Sequence, residues 1–275
     1  MKEAKYKILV LVDLSETSHE TLKNALNLAK VIGGSLEVFH VKSLTNIVKN
    51  ENQISAMRSL DEEKNLSKRK LQNLVNLFSK EENIPLTFDF AFGNVKNEIE
   101  HQIEKVKPDI IVLGKRKQKV FNFLGEDVTQ FLLNKFFGII LIAGEGKNLQ
   151  SVDGISIGFY SDTLDDYNVE ITKDLSKKAI SPIKFFKVRK RSSVHATNEA
   201  VNRLKSTYNG KNVVEYEFEE SSDALINFVS KNKIGLLCMG RGGKKKDWTD
   251  KFIGEIIGTN KENSKLKAPL LIYGR

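Results

Sequence analysis

Residues 6–13 read YKILVLVD, an unbroken apolar run rich in branched side chains. A run without polar alternation predicts a strand covered on both faces, as at the centre of a parallel sheet. The period then changes. Leu22, Leu26, Ala29 and Ile32 recur at spacings of three and four, which predicts a helix ended by Gly33 and Gly34. SLEVFHV (35–41) reads as a second strand, and a long charged helix over 54–81 shows one apolar face at Leu71, Leu74, Val75 and Phe78. The strand LTFDFAFG follows Pro85. A helix over NVKNEIEHQIEKVK, the strand DIIVLG after Pro108, a helix around 125–136 and the strand GIILIAG complete a strand–helix alternation. That alternation predicts a parallel sheet with helices on both faces, whose ligands gather at the carboxyl ends of the strands. Here those ends are Asp13, Val41 and Gly114.

The second part of the chain repeats this order. GISIGFYSD and VEITKDLSKKAI answer the first strand and helix, PIKFFKV the second strand, and 195–208 a shorter second helix. VVEYEFEE, SDALINFVSKNK and IGLLCMG answer the third strand, third helix and fourth strand, and APLLIYG closes the chain as GIILIAG closed the first part. A fixed repeat of this kind predicts two copies of one α/β domain, 1–147 and 148–275, each a five-stranded parallel sheet flanked by helices. The polar, glycine-bearing segment EGKNLQSVDG (145–154) joins them.

Composition narrows the function classes. The 275 residues are 40% hydrophobic and 29% charged with 4 prolines, the profile of a globular chain. No stretch approaches the ~20 apolar residues that span a bilayer, and MKEAKYKILVLVD lacks a signal core, so the expectation is a cytoplasmic protein without a membrane partner. The single cysteine, Cys238, excludes an intrachain disulfide and sits in the apolar run IGLLCMG as a buried, inert thiol. The net charge of +9 is spread, with 22 basic against 19 acidic residues in 1–147 and 22 against 16 in 148–275. No long basic arm results, which argues against nucleic acid as a partner.

Two stretches carry candidate chemistry. The first is ILVLVDLSE, followed by LEVFHV. The second is PDIIVLGKRKQKVFNFLGEDVTQFLLN, where an apolar strand ends on glycine and opens a loop. Together they resemble the universal stress protein family, and the second part of the chain extends the likeness to a tandem pair. In that family the first strand ends in an aspartate that contacts adenine. The fourth opens a loop, Gly-x-x-Gly, nine residues, then Gly-Ser/Thr, that wraps the nucleotide phosphates. Glycines allow backbone N–H groups to approach phosphate oxygens, and the following helix offers its N-terminus to negative charge.

Carried onto this sequence, Asp13 takes the adenine position, with Ser15 beyond it and Leu14 where the family usually has glycine. Val41 matches backbone that meets the base, and Gly114 the first loop glycine. Lys117 stands in place of the second, Gly125 matches the last but two residues early, and Glu126 replaces Ser/Thr. In the second copy Gly240 and Gly243 are correctly spaced and Gly254 comes one residue late, while Tyr160 stands where aspartate belongs and Glu255 replaces Ser/Thr. A carboxylate at that helix N-terminus competes with phosphate for the same donors.

Each candidate also has a plainer reading. Asp13 and Ser15 precede a helix and read equally as caps. Lys115, Arg116, Lys117 and Lys119, like Lys244–Lys246 in the second loop, read as phosphate-binding point charges or as a solvated loop. Trp248 and Phe252 beside those lysines read as packing aromatics rather than a stacking platform for nucleic acid. His19, His40, His101 and His195 show no metal-ligand spacing and flank no nucleophile, and no Walker loop, GxSxG or CxxC occurs. No catalytic residue and no metal site is expected, although the family allows slow ATP hydrolysis.

The resemblance therefore implies a tandem universal stress protein, regulatory or protective in a stress response. It implies weak or altered binding of ATP or another adenine nucleotide at most. The alternative is a degenerate scaffold that binds a protein partner or another anionic ligand. The resemblance further implies that GIILIAG and PLLIYG meet in an internal pseudo-dimer, with further oligomerisation left open.

Overall fold

The structure, a computed structural model, describes residues 4–43, 53–82, 84–115, 128–144, 149, 154–160, 169–180, 182–189, 213–219, 222–240, 253 and 266–273. The first part contributes β1 (Tyr6–Leu11), α1 (Thr17–Ile32), β2 (Gly34–Lys42), α2 (Gln53–Glu82), β3 (Thr87–Phe92), α3 (Val95–Val106), β4 (Ile110–Leu113), α4 (Val128–Lys135) and β5 (Ile139–Ile142). The second contributes β6 (Ile157–Tyr160), α5 (Val169–Lys177), β7 (Ile183–Arg189), β8 (Val213–Glu219), α6 (Ser222–Lys231), β9 (Leu236–Gly240) and β10 (Leu270–Tyr273). The second-copy helix expected over 195–208 lies outside the described residues, as does the division at 147/148.

All these strands form one ten-stranded sheet in the order β3-β2-β1-β4-β5-β10-β9-β6-β7-β8. Every neighbouring pair is parallel except β5 and β10, which run antiparallel with Ile142 opposite Leu270, Leu141 opposite Leu271 and Ile140 opposite Ile272. The meeting of GIILIAG with PLLIYG is thus present as a backbone ladder. Each half is a five-stranded α/β unit, and the two are fused edge to edge.

The apolar runs become strands because helices cover both faces. Even-numbered residues of β1 (Tyr6, Ile8 and Val10) share a core with α1, α2 and α5. Leu9 shares the opposite core with residues of α3, α4 and α6. Both cores run through both halves. Helix α1 forms on the face expected, burying Leu22, Leu26, Ala29 and Ile32, and stops where Gly33 turns left-handed at φ 76° and its N–H bonds to the Ala29 carbonyl. Helix α3 is capped by the Asn94 side chain, which accepts from the backbone N–H groups of Lys96 and Asn97.

Polar ties reinforce the seam. Lys5 Nζ (2.6 Å) and the Tyr6 hydroxyl (3.0 Å), at the start of β1, both donate to Asp174 Oδ2 on α5, whose other oxygen accepts from Lys177 Nζ at 2.8 Å. Burial alone would raise the Asp174 pKa, but the bonds from Lys177, Lys5 and Tyr6 outweigh it and hold the carboxyl below its ordinary value. Leu149, fully buried, is clamped by two asparagines of α1: its N–H donates to Asn24 Oδ1 at 3.2 Å and its carbonyl accepts from Asn27 Nδ2. Gly144 passes so close to the second half that a Cβ there would lie 2.5 Å from the Lys267 carbonyl oxygen and 2.8 Å from Pro269 Cδ.

Ile140 is fully buried at the seam. Ile140→Val should cost about 1 kcal/mol, whereas Ile140→Glu buries a charge without a partner and should cost at least about 3 kcal/mol. Urea unfolding checks this, and equal midpoints for wild type and the Glu variant would contradict the seam as described.

Candidate functional site

The register of the sheet brings the candidate residues to one rim. Leu11 lies opposite both Phe39 of β2 and Leu113 of β4, so two residues further on each strand arrive Asp13, Val41 and Lys115. In the first half's order, β3-β2-β1-β4-β5, the chain leaves β1 towards one side and returns as β4 on the other. The crevice between β1 and β4 is therefore the topological switch point, where open α/β sheets bind ligands.

Asp13 is exposed at that crevice. Its Oδ1 accepts from the Ser15 N–H at 3.0 Å, the Ser15 hydroxyl at 2.6 Å and the Ser18 hydroxyl at 3.1 Å. The carboxylate thus closes an Asx turn that leads into α1. Ser15 Oγ lies 3.0 Å from Thr17 Oγ1, so a row of hydroxyls surrounds the aspartate. Sequence reading singled out Ser15 and missed Thr17 and Ser18. The run SETSHET (15–21), which begins two residues after Asp13, is the signal that could have found them.

Leu14 adopts φ 59°, a left-handed conformation that costs a non-glycine residue about 1 kcal/mol. This explains why the family's usual glycine suits the position. Here the leucine side chain packs against the core instead. Gly114 has a steric role: a Cβ would overlap Thr21 Oγ1 on α1, so only glycine lets β4 end against the helix's opening turns.

Lys115 is 7% exposed, and its Nζ donates to the Leu266 carbonyl in the second half. A buried ammonium needs such an acceptor. Lys117 and Gly125, with Glu126, lie outside the described residues. Val41 is half-buried at the end of β2, paired with Ala91 of β3. Beside it His40 is buried, and its Nδ1 donates to the Val12 carbonyl at 2.8 Å, which ties the end of β2 to the end of β1.

The second half differs at each matching place. Tyr160, at the end of β6, is fully buried on the side of the sheet where Phe186 also packs. Phe186 in turn contacts the rings of Tyr216, Phe218 and Phe228 at 5.7–6.2 Å. Gly240 ends β9 in register with Tyr273. Gly243, Gly254, Glu255, Lys244–Lys246 and Trp248 lie outside the described residues. Cys238 is fully buried, and burial pushes its thiol pKa up. Among the described residues no group of three or more His, Cys, Asp or Glu could hold a metal ion, and no helix is long and apolar enough to cross a membrane.

The model of the universal stress protein family matches residues 6–137. Residues 6–137 thus form a domain of the universal stress protein family. Among solved structures, a universal stress protein from Archaeoglobus fulgidus DSM 4304 overlays on 98% of this chain and 96% of its own length, at 17% identity and a TM-score of 0.72. A functionally unknown protein from Pseudomonas aeruginosa PAO1 covers 98% and 92% at 15% identity, with a TM-score of 0.56. At these identities the likeness is one of fold, and it extends the universal stress protein fold over both halves. No curated protein matches the chain.

The His40 imidazole is pushed below its ordinary pKa by burial, with Lys42 adding to the shift. The bond to Val12 and the charge of Asp13 oppose it without reversing it. The unfolded chain takes up this proton near pH 6.5 and the folded protein only lower, so stability is whole above about pH 6.5 and falls as pH drops. His40→Asn, whose amide can donate to the same carbonyl, should show a flatter decline in urea midpoint between about pH 7 and 5. Identical slopes would count against His40 as the source.

Proposed function

We propose that this tandem universal stress protein acts as a cytoplasmic regulator or protectant rather than a turnover enzyme, with one weak adenine-nucleotide site in its first half and none in its second. The observation that carries the reading is the contrast at the two switch points. Asp13 is exposed beside β4 and ringed by hydroxyls, whereas Tyr160 is sealed in the core. An exposed carboxylate can accept from the exocyclic amino group of adenine, which guanine does not offer in that place. Weak affinity follows from what surrounds it. Oδ1 already accepts three hydrogen bonds, and Lys115, the first cation of the loop, is turned to Leu266.

The same two observations favour a second reading, in which the nucleotide has been lost and the fused pair serves as a scaffold for a protein partner or another anionic ligand.

Calorimetric titration of nucleotide-stripped protein separates the two. The first reading expects saturable ATP binding with a dissociation constant between about 10 μM and 1 mM, or roughly −7 to −4 kcal/mol. GTP should not match it, and Asp13→Ala should abolish it while leaving the protein folded by circular dichroism. Equal heats from ATP and GTP, or none from either, would overturn the nucleotide reading.

A further inference from the structure

Helix α2 is 30 residues long, about 45 Å, and among the described residues its buried positions lie on one side. Ser67, Leu71, Leu74, Val75 and Phe78 are buried against the sheet. On the opposite side Glu62, Leu66, Arg69 and Asn73 follow one another at spacings of four, three and four, and all four are exposed. This is the seam spacing by which one helix packs along another. Leu66 lies at its middle and is 47% exposed.

The charges around Leu66 are arranged in opposed blocks. Asp61 and Glu62 precede it, and Lys68, Arg69 and Lys70 follow it, while the exposed Lys64 falls on the same stripe as Ser67 and Leu71 and Arg58 lies one turn beyond Glu62. Among the described residues none of the five in the two blocks has an ion-pair partner within the chain, whereas Glu63, turned towards the sheet, pairs with Lys42 at 3.1 Å. A surface with acid before its centre and base after it is complementary to itself when reversed. Two such helices laid antiparallel about a twofold axis beside Leu66, midway between Glu62 and Arg69, bring the two Leu66 side chains together and set Glu62 of each opposite Arg69 of the other. An isologous contact of this kind closes on itself and yields a dimer.

We propose that the outward face of α2 is a homodimer surface on which two copies of this chain pack antiparallel about Leu66. Association through the sheet is disfavoured. The β5 edge is already paired with β10. Of the two outer strands, β3 carries Asp89, bound to Lys105 at 2.6 Å, and β8 carries Glu215 and Glu217, and charges on an edge strand discourage pairing with another sheet. The α2 seam is narrow and holds one apolar contact between two ion pairs. Its dissociation constant should therefore be on the order of 100 μM and should depend on salt.

Sedimentation equilibrium on the full chain tests this with Glu62→Arg and Arg69→Glu, both exposed positions whose variants should keep the wild-type circular dichroism spectrum. At about 20 mM salt and up to about 1 mM protein, the wild-type mass should rise towards the dimer, and about 0.5 M salt should reverse the rise. Each single reversal sets like charges opposite one another and should weaken association at least about tenfold. An equimolar mixture of the two variants should regain it, because each then supplies the charge the other lacks. A wild type that stays at monomer mass would overturn the proposal. So would a dimer that survives both reversals, or a mixture no better than its components.

Discussion

The antiparallel pairing of β5 with β10 is the constraint on which the rest of the molecule depends. A five-stranded α/β unit of this order ends in a strand with one side unpaired, and exposed backbone groups on such an edge seek a partner. Here the partner is the corresponding strand of the second copy, and Ile140, Leu141 and Ile142 are sealed against Leu270, Leu271 and Ile272. Once that ladder forms, both hydrophobic layers become continuous across the seam. The Asp174 network, the Asn24–Asn27 clamp on Leu149 and the close pass of Gly144 then follow as consequences of proximity.

The direction of that pairing also sets where the two candidate sites lie. Because β5 and β10 run antiparallel, the carboxyl ends of the two sets of strands face opposite rims of the sheet. The two switch points are therefore separated and free to diverge. The first keeps a polar rim, with Asp13 held by Ser15 and Ser18. At the second, Tyr160 stands at the matching place and is fully buried, where its ring adds to the packing of the core. The Lys115 bond to Leu266 ties the opening of the first loop to the segment before β10, so the first rim and the seam share a residue.

Much of this architecture was legible in the sequence because buried parallel strands must be apolar throughout. YKILVL, IIVL, IILI and LLIY announce themselves, and the repeat of their order gives the tandem plan. The site was legible only in part. Asp13 and Gly114 could be placed from the motif, but the reason for glycine at 114 is a hydroxyl on α1, Thr21, and a contact of that range leaves no mark in local pattern. Lys115 read as one cation among several in a basic loop, and its burial against Leu266 depends on a segment more than a hundred residues away. Leu14 could not be read as left-handed because leucine rarely is. The buried role of Asn24 and Asn27 in α1 depends on Leu149, more than a hundred residues away, and leaves no mark in the helix pattern.

If the seam fuses the halves, they cannot unfold separately. Differential scanning calorimetry of the full chain tests that claim most directly. One transition is expected, with van't Hoff and calorimetric enthalpies equal and near about 190 kcal/mol for a chain of this length. Two transitions, or a van't Hoff enthalpy close to half the calorimetric value, would mean that each half stands by itself and that the β5–β10 ladder joins two independent domains.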